Sequence, residues 1–345
     1  MIRARYFALL LPSLVLLNGP LSHAAPPAKT LRLLKRYKTG GEGGWDYLTF
    51  DSAARRLYIT RGTHVLVIDA DKNKPVGDIT GLKGIHGVAL APKHNRGYIS
   101  GGGDDSVTIF DLKTLKVLDK VSVGKRPDAI MYDSATDQVF TFNAQSQDST
   151  VLSAETGKVV GTIPLGGKPE FAVSDEQGGV FVNIEDTSEL VSLDAKAMTV
   201  KNRWPLAPGE GPSGLAIDIK SRRLFAVCDN GKMVVMNADS GQIVATPAIG
   251  KGPDAAAFDP ATHLAYSSNG EDGTLTVIHE TDDDKFEVVS TVTTAPGART
   301  MTLDPKTHHI ILFTAKNVPP KPGEAVNARR PYVSGTFETL IVGAK

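Results

Sequence analysis

Residues 254–259 read Asp-Ala-Ala-Ala-Phe-Asp, and variants of this pattern return along the whole chain. Each copy begins with a polar or charged residue, continues through small or apolar side chains, and reaches an Asp five positions later; one copy ends on Ala91 instead. The seven copies begin at Asp46, His86, Asp128, Glu170, Ser213, Asp254 and Arg299. Their spacings are 40, 42, 42, 43, 41 and 45 residues. This period, carried by short alternating strands, is typical of a β-propeller.

Each repeat contains the pattern of four short strands separated by turn residues. In the second repeat these strands are predicted at 87–90, 97–100, 106–111 and 116–123. Their alternation of apolar and polar residues has a period of two, and long helical periodicity is absent. The sequence therefore predicts an all-β, seven-bladed propeller with four-stranded blades. The blades are expected to start near residues 41, 83, 125, 167, 210, 251 and 296.

The seventh repeat lacks a fourth strand, because the chain ends soon after a third-strand pattern at 337–342. Residues 30–39, ahead of the first repeat, have the pattern of an outer strand. We therefore expect this N-terminal strand to complete blade seven. Closing the ring in this way removes the exposed sheet edges of an open array.

The first 24 residues have the features of a secretory signal. Arg3 and Arg5 precede an apolar stretch at 6–17, which is too short to span a bilayer as a helix. Ser22-His23-Ala24 supplies small residues for cleavage after Ala24. The sequence thus predicts a propeller domain at 25–345, a periplasmic or secreted location, and no membrane span after cleavage.

Charge and cysteine content exclude several classes of protein. The chain has 38 basic and 38 acidic side chains, so it lacks the basic excess of a nucleic-acid-binding protein. Its single cysteine, Cys228, has no internal partner for a disulfide. We expect a monomer that binds a small polar ligand or a protein partner.

Residues 98–111 read Tyr-Ile-Ser-Gly-Gly-Gly-Asp-Asp-Ser-Val-Thr-Ile-Phe-Asp and resemble the repeat of the YVTN β-propellers. Residues 57–69 and 265–278 are similar, and 123–128 and 249–254 resemble the G-x-x-P link between blades. The resemblance covers essentially the whole chain after the signal. It implies a YncE-like exported propeller of the quinoprotein-dehydrogenase-like superfamily. It transfers no set of catalytic residues, because this fold serves many functions.

In a propeller, the first residue of each repeat lies where the central channel opens. We call this predicted ring the acidic mouth; it comprises Asp46, His86, Asp128, Glu170, Ser213, Asp254 and Arg299. Four of its members are acidic and one is an arginine, although acidic residues are depleted in strands. The loops between second and third strands open on the same face. They contribute the further candidate ligand-binding residues Arg61, Asn143 and Asn269.

Three interpretations of the acidic mouth remain open at the level of the sequence. The carboxylates can cap backbone amides around a water-filled neck, or they can line a pocket for a small polar or cationic ligand. In the third interpretation, His86, Asp46 and Asp128 hold a divalent metal. No motif for a catalytic serine, a zinc-binding cysteine pair or haem attachment is present. No cofactor other than a possible divalent metal is expected.

The loop of the seventh repeat, at 315–335, is much longer than its counterparts. Loops of this length in compact domains are often functional. Its Arg329 and Arg330 are expected to meet the acidic mouth, either as a movable lid or as a permanent plug. The sequence favours a binding or scaffold protein over an enzyme. The alternative is a metal-assisted, lactonase-like hydrolase that uses the same mouth.

Overall fold

The computed structural model describes Met1 and residues 30–281, 284–319 and 331–344. The predicted signal, and Arg329 and Arg330 of the long loop, lie outside the described residues. Within the described ranges no helix has the length and apolar character needed to cross a bilayer.

The described chain consists almost entirely of short strands. The first thirteen are β1 (Arg32–Lys38), β2 (Leu48–Asp51), β3 (Arg56–Thr60), β4 (Val65–Asp69), β5 (Lys74–Ile79), β6 (Ile85–Ala91), β7 (Arg96–Gly101), β8 (Ser106–Asp111), β9 (Val117–Ser122), β10 (Pro127–Asp133), β11 (Gln138–Asn143), β12 (Asp148–Ser153) and β13 (Val159–Pro164). One 3-10 helical turn, Pro92–His94, connects β6 to β7.

The remaining strands are similar in length and spacing. They are β14 (Pro169–Ser174), β15 (Gly179–Ile184), β16 (Glu189–Asp194), β17 (Thr199–Pro205), β18 (Pro212–Asp218), β19 (Arg223–Cys228), β20 (Lys232–Asn237), β21 (Ile243–Ala245), β22 (Pro253–Asp259), β23 (Leu264–Asn269), β24 (Thr274–Glu280), β25 (Phe286–Thr293), β26 (Met301–Asp304), β27 (His309–Thr314) and β28 (Glu338–Gly343).

These strands form seven four-stranded antiparallel sheets, which are the blades of a propeller. Blades one to six each use four consecutive strands, beginning with β2, β6, β10, β14, β18 and β22. Blade seven has the order β1-β28-β27-β26, with Arg32 opposite Gly343 and Lys38 opposite Glu338. The predicted fold, including closure of the last blade by the N-terminal strand, is confirmed.

The core lies between adjacent blades, because both faces of each blade are covered by a neighbour. Second and third strands are therefore buried along most of their length, whereas outer strands expose charged side chains. Between blades five and six, for example, Phe225 stacks on Phe258 with ring centroids 5.1 Å apart. Burial of such apolar surface is the main term that stabilises the ring.

The Asp that ends each sequence repeat closes the turn after the inner strand. Asp133 and Asp304 are buried, and each accepts a hydrogen bond from the hydroxyl of the threonine three residues later, Thr136 and Thr307. A carboxylate that satisfies its own turn in this way stabilises the turn without help from the rest of the fold. The Asp of the repeat is thus a structural residue.

Some of these carboxylates also connect neighbouring blades. Arg55 of blade one donates to both oxygens of Asp304 in blade seven, at 2.6 and 2.7 Å. Arg222 of blade five donates to Asp175 of blade four at 2.9 Å. These pairs lie at the turns after the inner strands, on the face opposite to the acidic mouth.

Candidate functional site

Five of the seven side chains of the acidic mouth form one continuous chain of contacts across blades three, two, one, seven and six. His86 Nδ1 lies 3.5 Å from Asp128 Oδ1 and 2.7 Å from Asp46 Oδ2. Arg299 lies 3.5 Å from the other oxygen of Asp46 and pairs with Asp254. The repeat therefore brings these residues together although 40 or more positions separate them in sequence.

His86 lies between two carboxylates contributed by the neighbouring blades. Burial disfavours its imidazolium form, but the hydrogen bond from its ring to Asp46 and the charge of Asp128 outweigh this, and its pKa is raised. Burial also raises the pKa of Asp128, to about 6, against the opposing effect of His86. The positive charge of His86 and the negative charge of Asp128 therefore favour each other.

Asp46, His86 and Asp128 also have the chemistry of a metal site. One potential ligand atom from each of them lies within 4.8 Å of the other two, and no other such group occurs among the described residues. One imidazole and two carboxylates suit a divalent ion, with water completing its shell. Gly102 packs against this histidine, since a Cβ at that glycine would lie 3.0 Å from His86 Nε2.

The second sector of the mouth is a half-buried ion pair. Arg299 binds Asp254, and it also donates to the carbonyl oxygen of Trp45 at 3.0 Å. Burial raises the pKa of Asp254 in spite of the opposing charge of Arg299, and the charge of Asp46 raises it further. Arg299 thus only partly compensates the two carboxylates beside it.

The third sector is a carboxyl pair held by a lysine. Lys168 Nζ lies 2.6 Å from Glu170 and also pairs with Glu185. Burial, the charge of Asp128 and a hydrogen bond to Glu185 raise the pKa of Glu170 to about 9, while the pKa of Glu185 is lowered. At neutral pH the two glutamates therefore share one proton. The sequence analysis missed Lys168 and Glu185, which lie outside the repeat position that defines the mouth.

Two aromatic residues close the channel below the mouth. Tyr47 of blade one reaches across the axis to Phe171 of blade four, with ring centroids 5.2 Å apart. Together with the inner strands of blades one to four, they line a small cavity of about 40 Å³. The sequence indicates that Tyr47 and Phe171 fill this space, because most of the equivalent positions in the other repeats have small residues: Gly87, Ala129, Gly214 and Ala255.

The other predicted site residues bond to the protein itself. Ser213 donates to the carbonyl oxygen of Pro253, and Asn143 and Asn269 donate to side chains of their own hairpins. Arg61 is almost fully buried, donates to backbone carbonyls of residues 40, 42 and 44, and stacks on Phe337 at 3.8 Å. These contacts give each residue a structural role, and a ligand contact by any of them stays a prediction.

The two ends of the long loop approach the mouth from blade seven. Val318 donates to the carbonyl of Pro331 at 2.9 Å, and Val333 donates to that of Lys316 at 2.7 Å. Tyr332 then packs on Trp45, with ring centroids 4.5 Å apart. The loop is therefore anchored beside Asp46, whereas its predicted lid arginines lie outside the described residues.

Comparisons with known proteins support the fold alone. No protein-family model and no curated protein matches the chain. Among solved structures, a chain of Kuenenia stuttgartiensis hydrazine synthase aligns with a TM-score of 0.69 and 14% sequence identity. The alignment covers 79% of this chain and 92% of that one. At this level of identity the likeness shows a shared β-propeller and no shared chemistry.

Proposed function

We propose that this chain is an exported β-propeller binding protein of the YVTN, YncE-like type, and that the acidic mouth binds a small organic cation. The proposal rests on one observation: in the mouth, carboxyl groups outnumber the basic side chains that contact them. Among the described residues, the basic side chains paired with Asp46, Asp128 and Asp254 are His86 and Arg299, and Tyr47 packs on Phe171 beneath them. A pocket of this kind favours positive charge.

The electrostatics of the mouth support binding of a cation. The raised pKa values of Asp128, Glu170 and Asp254 mean that these carboxyls are poorly compensated when ionised. An incoming cation relieves this repulsion, so part of its binding free energy comes from carboxylates that are already in place. The linked side chains remain accessible, with between 14% and 29% of their surface exposed.

Export and family membership are part of the same proposal. They rest on the signal-like residues 1–24 and on the YVTN-like repeats, as in residues 98–111. A periplasmic or secreted monomer with a ligand site at the mouth is the arrangement that these features favour together.

A metal-assisted hydrolase is the second candidate, because Asp46, His86 and Asp128 place three ligand atoms within reach of one ion. Such an enzyme also needs a free carboxylate as general base. Glu170, the mouth carboxyl of the next blade, has a pKa of about 9 and is paired with Lys168. It is therefore protonated at neutral pH and poorly suited to this role, which favours the binding protein.

Titration with 1,4-diaminobutane, a small organic dication, tests the proposal. We expect its affinity, measured by calorimetry, to rise about tenfold from pH 5 to pH 7 as Asp128 loses its proton near pH 6. Asp128→Asn should weaken binding at pH 7 and reduce this pH dependence. Asp119→Asn, at an exposed position on outer strand β9, is the matched control and should change neither.

Elemental analysis of the purified protein separates the two candidates. Stoichiometric metal that survives dialysis, and that is lost in His86→Ala, would favour the hydrolase. If neither Mn²⁺ nor 1,4-diaminobutane binds in a way that depends on Asp128, the mouth is not a cation site.

A further inference from the structure

A second cleft lies on the face opposite to the mouth, between blades five and six. Its volume is about 220 Å³, and it is lined by the turn after β18, the end of β24 and the turn between β22 and β23. The residues that line it are Asp218, Lys220, Ser221, Arg223, His263, Glu280, Thr281 and Asp284, of which Lys220 is exposed. We call it the Glu280 cleft.

Glu280, the last residue of β24, is only 5% exposed, and its Oε2 has no hydrogen-bond partner in the described part of the chain. Ser221 Oγ, also in the lining, is likewise buried and unpaired. A buried carboxylate oxygen without a partner is costly, and native proteins rarely leave one in this state. The Ser221 hydroxyl of blade five lies close enough to the Glu280 carboxyl of blade six to lower its pKa, although it makes no well-formed hydrogen bond with it.

The charges around Glu280 leave it uncompensated. Asp218, itself buried, accepts backbone N–H groups of its own turn at 3.0 and 3.3 Å and adds a second negative charge. Arg223 is committed to Asp284, with bonds of 2.8 and 2.7 Å. Burial raises the pKa of Glu280 and the charge of Asp218 raises it further, while the hydroxyl of Ser221 and the charges of His263 and Arg223 oppose this only in part.

We propose that the Glu280 cleft binds a small molecule through a primary ammonium group. An ammonium offers three N–H donors; Glu280 Oε2 is a buried acceptor without a well-formed hydrogen bond, and the Ser221 hydroxyl beside it offers lone pairs for a second bond. The proposal is independent of the function assigned to the mouth, which lies on the other face.

Two observations favour an ammonium over a metal ion at this place. Among the described residues, three metal-ligand atoms converge within 4.8 Å only at Asp46, His86 and Asp128. The Glu280 cleft is also several times larger than the roughly 30 Å³ that a water-sized occupant fills. The space beside the carboxylate therefore suits an organic molecule that carries the charge.

Propylammonium is the probe that tests this assignment. We expect it to bind with a measurable heat in calorimetry, and we expect 1-propanol, which has the same chain without the charge, not to bind. Glu280→Gln should weaken propylammonium binding at least tenfold. The variant should also melt at or above the temperature of the unmodified protein, because the amide removes an uncompensated buried charge.

Glu287→Gln is the matched control, since Glu287 lies exposed on β25 of the same blade. It should bind propylammonium as the unmodified protein does. In Asp128→Asn, the part of propylammonium binding that depends on Glu280 should be unchanged, which separates this cleft from the mouth. The proposal is overturned if propylammonium does not bind, if Glu280→Gln binds it equally well, or if only Ca²⁺ gives a response that depends on Glu280.

Discussion

Arg55 shows how one backbone conformation directs a side chain between blades. It lies four positions after Asp51, and its φ of 55° is in the left-handed region. The residue at the same position of five other repeats also has a positive φ; these residues are Asn95, Asp137, Arg222, His263 and His308. Such a conformation is uncommon for residues other than glycine and is retained where surrounding contacts compensate for it. At Arg55 the compensation is the pair with Asp304.

We expect Arg55→Met to lower the free energy of unfolding at pH 7 by about 2–4 kcal/mol, because Asp304 is left buried without its partner. Burial opposes ionisation of Asp304, but bonds from Arg55 and Thr307 outweigh it, and the pKa falls from 3.8 to about 2. A lowered carboxyl pKa stabilises the fold above the unfolded value and loses this effect as pH falls. The difference between variant and unmodified protein should therefore shrink from pH 4 to pH 2.

Chemical denaturation at several pH values measures this difference. Lys72→Met is the control, because Lys72 forms an exposed pair with Asp69 on a neighbouring turn. Exposed pairs of this kind contribute less than about 1 kcal/mol. An Arg55 variant as stable as the Lys72 variant at pH 7 would show that the contact between blades one and seven is of little energetic importance.

At the scale of the element, β1 is the strand whose pairing partner is most distant in sequence. It pairs with β28, so residues more than 300 positions apart become neighbours. Leu31 and Leu33 pack against the core between blades six and seven. Bringing two such distant strands together has a large entropic cost in folding. Once formed, their pairing joins the first and last parts of the ring.

Deletion of residues 31–37 should destabilise the whole ring and not only blade seven. We expect a single unfolding transition whose midpoint is lower by at least about 10 °C in calorimetry. The reason is that β28 then becomes an exposed edge and the core against Leu33 is opened. Leu118→Asp, on the outer strand β9 at a residue 54% exposed, should leave the midpoint almost unchanged. A deletion variant that melts with the unmodified protein would contradict the role given to β1.

At the scale of the whole molecule, Tyr47 connects opposite sides of the ring. It comes from blade one, packs with Ala129 of blade three and Phe171 of blade four, and fills the axis below the mouth. Burial raises its pKa well above the usual value, and the charges of Asp128 and Glu170 raise it further. Tyr47 thus stays neutral and separates the charged mouth from the apolar neck.

Tyr47→Ala should therefore cost about 3–5 kcal/mol in the free energy of unfolding, since it leaves a cavity on the axis that blades from opposite sides cannot fill. Tyr47→Phe keeps the ring and removes only the hydroxyl, so it should remain within about 1.5 kcal/mol of the unmodified protein. Equal stability of the alanine variant would mean that the channel does not depend on this plug. Urea denaturation of the three proteins decides between these outcomes.

The sequence by itself determined the seven blades, the closing strand and the set of residues at the mouth. The reason is physical: a repeat of about 42 residues places every equivalent position at the same height and radius, whatever its side chain. The positions of Asp46, His86 and Asp128 around one axis therefore follow from their shared place in the sequence repeat.

Only the tertiary structure decided which of these groups meet and what surrounds them. The pairing of Arg299 with Asp254, the proton shared by Glu170 and Glu185, and the unpaired oxygen of Glu280 depend on side-chain directions and on neighbours from other blades. No local pattern encodes such contacts, because burial and charge act over distances in space and not along the chain.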